Sequence, residues 1–507
     1  VNDIRVLFTA APGFIMWPNG SAQVDTSVPP VALYTLGAVV EQAGFPCTIL
    51  DPVEYWRLCR DSSQLRQLAA AHPVFCLSAN SNTWPAARVL LDKVAAVEPR
   101  PVIVVGGLHA TYCDEHVMRT TPVDIIVRGE GEIALREVLQ HLARDSALDD
   151  IGGLTFRRDG RLVRTPDREP LSEAQLSATP LPLWERLPGM VYGFIPVEVS
   201  RGCRFGCTFC SIYFKHHWRP AEHRCVCDRI EHAVANLGRV QHRALLFSDD
   251  CFTTDSDRVA LVAEILAAAA PGVGVGVEAR AGDVLQPATL AGLARMQIEF
   301  IQIGVECGYP EGLRKVHKGI NLEQVIASTH ALHRLGIHAA AKYSYIIGFP
   351  WETREDMMRT MAFAMSLGSR YGNHVQVNWH LLFPGSELYA EFRRAGQVSD
   401  ADYDALPHEQ PEVFFRTHPS VDARTPRILE DYAVMLEHSF PWVGALGNIF
   451  RSWTQHVHLP WDRTLPAAGR KKTAGGCVPS PVAVAARNAG GWWPLPPVLQ
   501  TEPVGDA

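Results

Sequence analysis

The stretch "RGCRFGCTFCS", residues 201–211, sets cysteines at 203, 207 and 210 with no fourth beside them. A structural zinc site closes on four ligands, and zinc ribbons pair their cysteines as two C-x2-C knuckles. The x3 and x2 spacing instead lets one loop wrap a cluster. An iron–sulfur cube takes four ligands, usually thiolates, so three cysteines leave one iron open to a small molecule. Zinc stands as the alternative, with His216, His217, Cys225 or Cys227 as its fourth ligand. Three inert core cysteines are a weaker alternative, because Gly202 and Gly206 beside them offer nothing to pack.

The loop follows "IPVEVS" (195–200), the first of six apolar runs. The others are "ALLFS" (244–248), "VGVEA" (275–279), "FIQIGVE" (300–306), "HAAAKYSYIIG" (338–348) and "HVQVNWHLLF" (374–383). Helical patterns such as "DRVALVAEILAAAA" lie between them. Six strand–helix units over residues 191–385 predict an open, partial TIM-like barrel rather than a closed one of eight. The cysteine loop then sits at a strand's carboxyl end, where barrels keep their chemistry.

Upstream, residues 1–150 repeat the alternation. Buried strands are predicted at 4–10, 47–50, 74–79, 102–107 and 124–129, with amphipathic stretches such as "VALYTLGAVVEQAG" between them. Continuous apolar strands with helical crossovers predict a parallel sheet covered on both faces, a Rossmann-like α/β domain with its ligand at the strands' carboxyl ends. Residues 151–190 read as a hairpin turning at Asp159-Gly160, followed by a proline-containing linker. Residues 386–463 read as a helical C-terminal region, and 464–507, rich in Ala, Gly and Pro, as a disordered tail.

The bulk numbers agree. A chain of 507 residues is too long for one core and predicts two or three domains. A net charge of −7 argues against a general nucleic-acid binder, and the run Arg470, Lys471, Lys472 reads as a solvated charge. The longest apolar region, Val259 to Val277, is cut by Glu264 and Pro271, so no membrane span is expected. The strand-like start "VNDIRVLFTAAPGF" has no basic leader, which places the chain in the cytoplasm as an expectation. Twelve cysteines over this length are no disulfide scaffold and suit metal-binding or buried thiols.

The pattern C-x3-C-x-aromatic-C, here Cys203, Cys207, Phe209 and Cys210, resembles the signature of radical S-adenosylmethionine (SAM) enzymes. The resemblance implies a [4Fe-4S] cluster on the three cysteines, with SAM chelating the open iron. It also assigns SAM contacts at successive strand ends. Asp249 and Asp250 in "FSDDCFT" would meet the SAM amino group, and Glu278 and Arg280 in "VEAR" its ribose and carboxylate. Glu306 in "IGVECG" resembles a G-x-E-S-G stretch with Cys307 in place of serine, and Gly348 and Pro350 in "IIGFPWET" resemble the stretch that flanks adenine. Each alone has a plainer reading as a helix cap or a loop marker.

"VPPVALYTLGAVVEQAGF" (28–45), "VVGGLHATY" (104–112) and "DIIVRGEGE" (124–132) resemble the cobalamin-binding domain that precedes the barrel in one large radical SAM subclass. The implied contacts are Ser78, Thr83, Gly106, Gly107 and Glu130, although Glu130 can equally cap a helix and Ser78 and Thr83 serve turns. No G-x-G-x-x-G follows the first strand, which disfavours a dinucleotide. Many cobalamin proteins carry D-x-H-x-x-G, whose histidine ligates cobalt; here "LDPVEYW" has Val53 at that place.

The expectation is therefore a cobalamin-dependent radical SAM methyltransferase that methylates an unactivated carbon, less often phosphorus. Its substrate would be a small intermediate of secondary metabolism such as antibiotic biosynthesis. His380, toward the end of the last strand, is the candidate proton acceptor. An external one-electron reductant, flavodoxin- or ferredoxin-like, is the implied partner. A non-methylating cyclase or ring-rearranging enzyme with the same cofactors is the alternative, and a non-enzymatic iron–sulfur or zinc protein the second. A methylthiotransferase is disfavoured, since Cys47, Cys59, Cys76 and Cys113 form no second triad ahead of the barrel.

Overall fold

The computed structural model describes residues 4–16, 22–54, 62–405, 411–422 and 424–439. The predicted tail and the end of the helical region lie outside them. The first sheet has strands β1 (Val6–Ala10), β2 (Cys47–Leu50), β3 (Val74–Ser78), β4 (Val102–Gly106) and β5 (Ile125–Val127), followed by β6 (Leu154–Arg158) and β7 (Arg161–Arg164). Their order is β2-β1-β3-β4-β5-β6-β7. The first five run parallel, with Val6 against both Cys47 and Val74, and the last two are antiparallel. The order reverses at β1, so the crevice beyond the β1 and β3 carboxyl ends is the topological switch point where such sheets bind ligands.

The hairpin was legible from Asp159-Gly160. Both residues take left-handed φ, 50° and 73°, as a two-residue hairpin turn demands. Its place was not legible. β6 pairs with β5 (Ile125 opposite Phe156), so the hairpin extends the first sheet. The linker after it carries a short helix, Glu173–Ser177, opened by a Ser172–Gln175 capping box, and a turn that buries Trp184.

Successive residues of β1 serve opposite faces. Leu7 joins a core with Leu77, Ile103 and Trp84 on helix Trp84–Ala95. Val6 and Phe8 face Leu33, Tyr34 and Val138, in a core continuous with that of the second domain. Both faces bury apolar side chains, which is why the strands read as unbroken apolar runs.

The second sheet has six parallel strands in sequence order: β8 (Phe194–Val197), β9 (Ala244–Phe247), β10 (Gly274–Ala279), β11 (Gln297–Glu306), β12 (Ala341–Ile347) and β13 (His374–Trp379). This is the partial barrel expected. Four of the strands are shorter than the apolar runs suggested, with β8 stopping at Val197 and β9 at Phe247. His338–Ala340 is a 3-10 turn, and β13 stops at Trp379. On β12 and β13 burial alternates, with Tyr343, Tyr345, Val377 and Trp379 packed under the helices and Ser344, Gln376 and Asn378 on the half-open concave face. Helix Arg354–Tyr371 between these strands starts at a Thr353–Asp356 capping box and ends at Gly372, which takes φ 69°.

Of the C-terminal helices Glu387–Arg394, Pro411–Thr417 and Thr425–Ser439, the first meets the cysteine loop at Thr208, the second packs Phe414 on Trp379 at the end of β13, and the third lies against helix Arg354–Tyr371. Their aromatic residues build core: Tyr389 is buried, donates to Asp400 at 2.6 Å and packs on Tyr403. Among the described residues no helix is long and apolar enough to cross a membrane.

Candidate active site

The cysteine loop leaves the barrel just past β8. A two-residue antiparallel pair, Ser200–Arg201 with Arg219–Pro220, pinches its base. Gly202 takes φ 84°, and a Cβ there would run into the His217 carbonyl oxygen, so only glycine fits. The Cys203 N–H donates to Phe214 O at 3.2 Å and the Cys210 N–H to Cys207 O at 3.2 Å. Thr208 is tied on two sides: its N–H donates to Val316 O at 3.1 Å, and its carbonyl accepts from Leu388 N at 3.2 Å.

Cys203 is buried, and Cys207 and Cys210 are half-buried. Burial pushes the Cys210 thiol up to about 11, so its thiolate calls for a bound cation. Among the described residues no three His, Cys, Asp or Glu side chains converge on a single-ion site. A cube asks less convergence, because each thiolate takes a different iron. Three thiols on one glycine-hinged loop therefore fit a cluster better than one zinc ion.

The strand-end residues divide by what occupies them. Asp249 is buried, accepts from the Ser200 hydroxyl and from Val199 N at 3.3 Å, and is raised to about 7 chiefly by burial. It holds the end of the first barrel strand. Asp250, its neighbour, accepts from Gly202 N at 3.0 Å and faces a cavity. Glu278 stands on the concave face, accepts from Gln302 at 3.2 Å and is also raised to about 7 by burial. Arg280 stacks 3.6 Å over the Phe205 ring of the cysteine loop and donates to Lys318 O.

Glu306, at φ 73°, pairs with Lys318 at 2.7 Å. Gly348 (φ 81°) and Pro350 form a turn whose Gly348 and Phe349 N–H groups donate to buried Glu352, at 2.6 and 2.9 Å. That turn touches the cysteine loop through Phe209, edge-on to Phe349 at 5.8 Å. His380 lies under the same turn, 4.6 Å from Phe349. It is 3% exposed, neither ring nitrogen has a hydrogen-bond partner, and burial lowers it to about 3, so it is neutral near pH 7.

A cavity of about 400 Å³ joins the two domains. Ser78, Gly106, Gly107 and Glu130 line one side, at the carboxyl ends of the first sheet, and Ser200, Arg201 and Asp250 the other. Gly107 takes φ 93°, and a Cβ there would strike the Ala79 carbonyl oxygen. Thr83 does not line the cavity; its hydroxyl accepts from Asn80 N at 3.1 Å and closes a turn. Glu130 stands at a helix N-cap position but makes no cap hydrogen bond. It accepts instead from Arg201 at 2.8 Å and Arg219 at 3.0 Å. Arg201 also binds Glu132 at 2.9 Å and Glu198 through two nitrogens.

This network ties the first domain to the residue two before Cys203. The described lining has no histidine. Asp51, before Val53, is closed off by the Tyr34 and Tyr192 hydroxyls, each at 2.7 Å. The glycine-floored cavity fits a broad ligand such as a corrin better than one clasped by side chains.

Arg201 and Lys318 escaped the sequence reading, while Glu352 lay inside the quoted "IIGFPWET" stretch without a role of its own. Arg201 lay inside the quoted motif, but nothing in the sequence gave its partners 69 to 71 residues away. Lys318 had a faint signal in the following Gly319, which takes φ 64°.

Two family models match this arrangement in order: the B12 binding domain over residues 21–139 and the radical SAM superfamily over residues 197–364. An uncharacterized methyltransferase of Pyrococcus horikoshii is 29% identical over 301 residues; the match takes 57% of this chain and 62% of that protein, so under two thirds of the relative is spanned. An anaerobic magnesium-protoporphyrin IX monomethyl ester cyclase of Rubrivivax gelatinosus is 27% identical over 78% of this chain and 71% of its own. Among solved structures, the radical SAM methyltransferase TsrM of Kitasatospora setae, with cobalamin and a [4Fe-4S] cluster bound, superposes with a TM-score of 0.66 at 16% identity, over 96% of this chain and 95% of that one. The last likeness establishes the fold. The site and fold set a three-cysteine loop at the mouth of a partial barrel, with a second ligand-binding domain in front. The chain carries a B12-binding domain followed by a radical SAM domain, and these two domains imply SAM, a [4Fe-4S] cluster and cobalamin as its cofactors.

Proposed function

We propose that the protein is a cobalamin-dependent radical SAM methyltransferase that places a methyl group on an unactivated carbon of a small intermediate of secondary metabolism, in the cytoplasm. The observation that supports this best is the shared cavity, which touches Gly106 and Gly107 of the first domain and Asp250 beside the cysteine loop. When bound, the cluster supplies the electron that splits SAM into a radical, and cobalamin carries the methyl group.

In this reading Cys203, Cys207 and Cys210 hold the cluster. Asp250 and the Glu306–Lys318 pair receive the charged end of SAM, and Glu278 and Arg280 stand along its length. The Gly348–Pro350 turn, stapled by Glu352, takes the adenine. Gly106 and Gly107 let a planar macrocycle lie against backbone. The substrate's hydrogen leaves as an atom in this reaction, so His380, neutral and uncommitted at both nitrogens beside the Gly348 turn, positions the reactants through a hydrogen bond rather than taking a proton.

A second reading, a non-methylating ring-forming enzyme, draws on the cyclase relative, whose match covers more of this chain than that of the methyltransferase relative. Anaerobic protein loaded with iron, sulfide and cobalamin, given SAM and a strong reductant, decides between them. Cobalamin-dependent S-adenosylhomocysteine together with 5′-deoxyadenosine is expected; 5′-deoxyadenosine alone supports the second reading, and neither product overturns both.

A further inference from the structure

The peptide unit joining Gly348 to Phe349 is a rigid plane, and both of its polar groups are engaged. Its N–H, carried by Phe349, donates to Glu352 at 2.9 Å, as the Gly348 N–H does at 2.6 Å. Its oxygen, on Gly348, meets Nε2 of His418, seventy residues further on. Glu352 belongs to the turn after β12. His418 comes from the C-terminal region, beyond the last barrel strand.

His418 is buried just past helix Pro411–Thr417, and its ring stacks on Phe414 at 3.7 Å. Nδ1 lies 2.6 Å from Phe414 O and 2.9 Å from the Thr417 hydroxyl. Burial lowers His418 to about 4, so near pH 7 the ring is neutral and carries one N–H. Phe414 O has a second donor, the Thr417 hydroxyl at 2.9 Å. Gly348 O has no other donor among the described residues. The tautomer with its hydrogen on Nε2 therefore leaves neither carbonyl without a donor. The fit is close: Gly348 takes φ 81°, and a Cβ there would strike Trp379 and crowd Phe414.

A ligand read by the backbone of this turn needs the Gly348–Phe349 plane fixed. Glu352 pins one edge of that plane and His418 the other, so neither alone prevents its rotation. We propose that His418 is a positioning residue for SAM: from the C-terminal region it locks the Gly348–Phe349 peptide in the orientation that receives the adenine. This rests on the adenine reading given above, and it makes the C-terminal region a working part of the SAM site.

The test compares ligands that share only part of SAM, by calorimetry on anaerobic holoenzyme without reductant, so that no turnover enters. Methionine carries the amino-acid end alone, and 5′-methylthioadenosine the adenine end alone. His418→Asn places an amide where Nδ1 lies, and His418→Gln where Nε2 lies. His418→Asn is expected to weaken SAM and 5′-methylthioadenosine about tenfold, the worth of one hydrogen bond, and to leave methionine unchanged. His418→Gln is expected to stay within about threefold of the wild type for all three. Tyr389→Phe loosens the same region at its 2.6 Å bond to Asp400. It is expected to lower the melting temperature with all three affinities unchanged.

Equal losses of SAM and methionine in His418→Asn, or an unchanged SAM affinity, would overturn the proposal. So would a His418→Gln protein as weak as His418→Asn. Glu352→Ala keeps this outcome apart from the adenine reading, because it frees the same peptide from its other edge. If Glu352→Ala weakens SAM but not methionine while His418→Asn changes neither, only the role of His418 fails. If neither variant changes SAM affinity, the adenine reading of the turn fails with it.

Discussion

The two walls of the cavity are built on opposite plans. The first domain offers backbone: Gly106, Gly107 and Gly129 at strand ends, with φ of 93° at Gly107 and 76° at Gly129. The barrel offers side chains, with three cysteines on a stapled loop and charged residues at successive strand ends. A broad, weakly charged ligand is held by shape and close approach. A charged, polynuclear one is held by named donors. The lesson is that single substitutions should act differently on the two sides: loss of a donor on the barrel side, loss of space on the other.

The sharpest break is on the barrel side. Cys203→Ala, Cys207→Ala or Cys210→Ala should each abolish cluster content and SAM cleavage, while cobalamin still binds the first domain. Iron and sulfide assays beside a cobalamin titration check both halves. Next comes His380→Phe, expected to lower turnover about 10²-fold with SAM affinity unchanged. An unchanged rate would remove His380 from the mechanism.

The seam between the walls is tested by Arg201→Met, which leaves Glu130, Glu132 and Glu198 short of one cation. Arg201's side chain is 18% exposed, and the expected cost is about 3 kcal/mol of stability, read by denaturant unfolding. Gly107→Ala sharpens the backbone side. A Cβ at φ 93° against the Ala79 carbonyl should cost about 1–3 kcal/mol and weaken cobalamin retention, with the cluster intact.

The smallest effect is pH. Asp249 is raised to about 7 in the folded chain, mainly by burial, against an ordinary unfolded carboxylate near about 4. The folded state therefore binds more protons between those values, and this residue's contribution to stability falls as pH rises from about 4 to about 7. Melting curves of wild type and Asp249→Asn across that window should diverge, with the variant showing the flatter fall.

The sequence by itself determined the order of the two sheets, the open barrel of six strands, and the cysteine triad. These follow from local signals: apolar run length, turn residues such as Asp159-Gly160, and cysteine spacing within eight residues. It determined the identities of the strand-end carboxylates but not their employment. Asp249 and Asp250 read alike in "FSDD", yet one is turned into the strand above and the other faces the cavity.

Glu130 read as a cobalamin contact or, equally, a helix cap; it lines the cavity, makes no cap hydrogen bond, and anchors two arginines. Thr83 read as a cofactor contact, and its hydroxyl closes a turn. The attachment of the hairpin to the first sheet, and the cavity shared by the two domains, were also decided only by the tertiary structure. The physical reason is range. Periodicity and spacing report what a residue meets a few positions away, whereas a carboxylate's partner or a cavity's second wall lies tens of residues distant and is chosen by how the sheets pack.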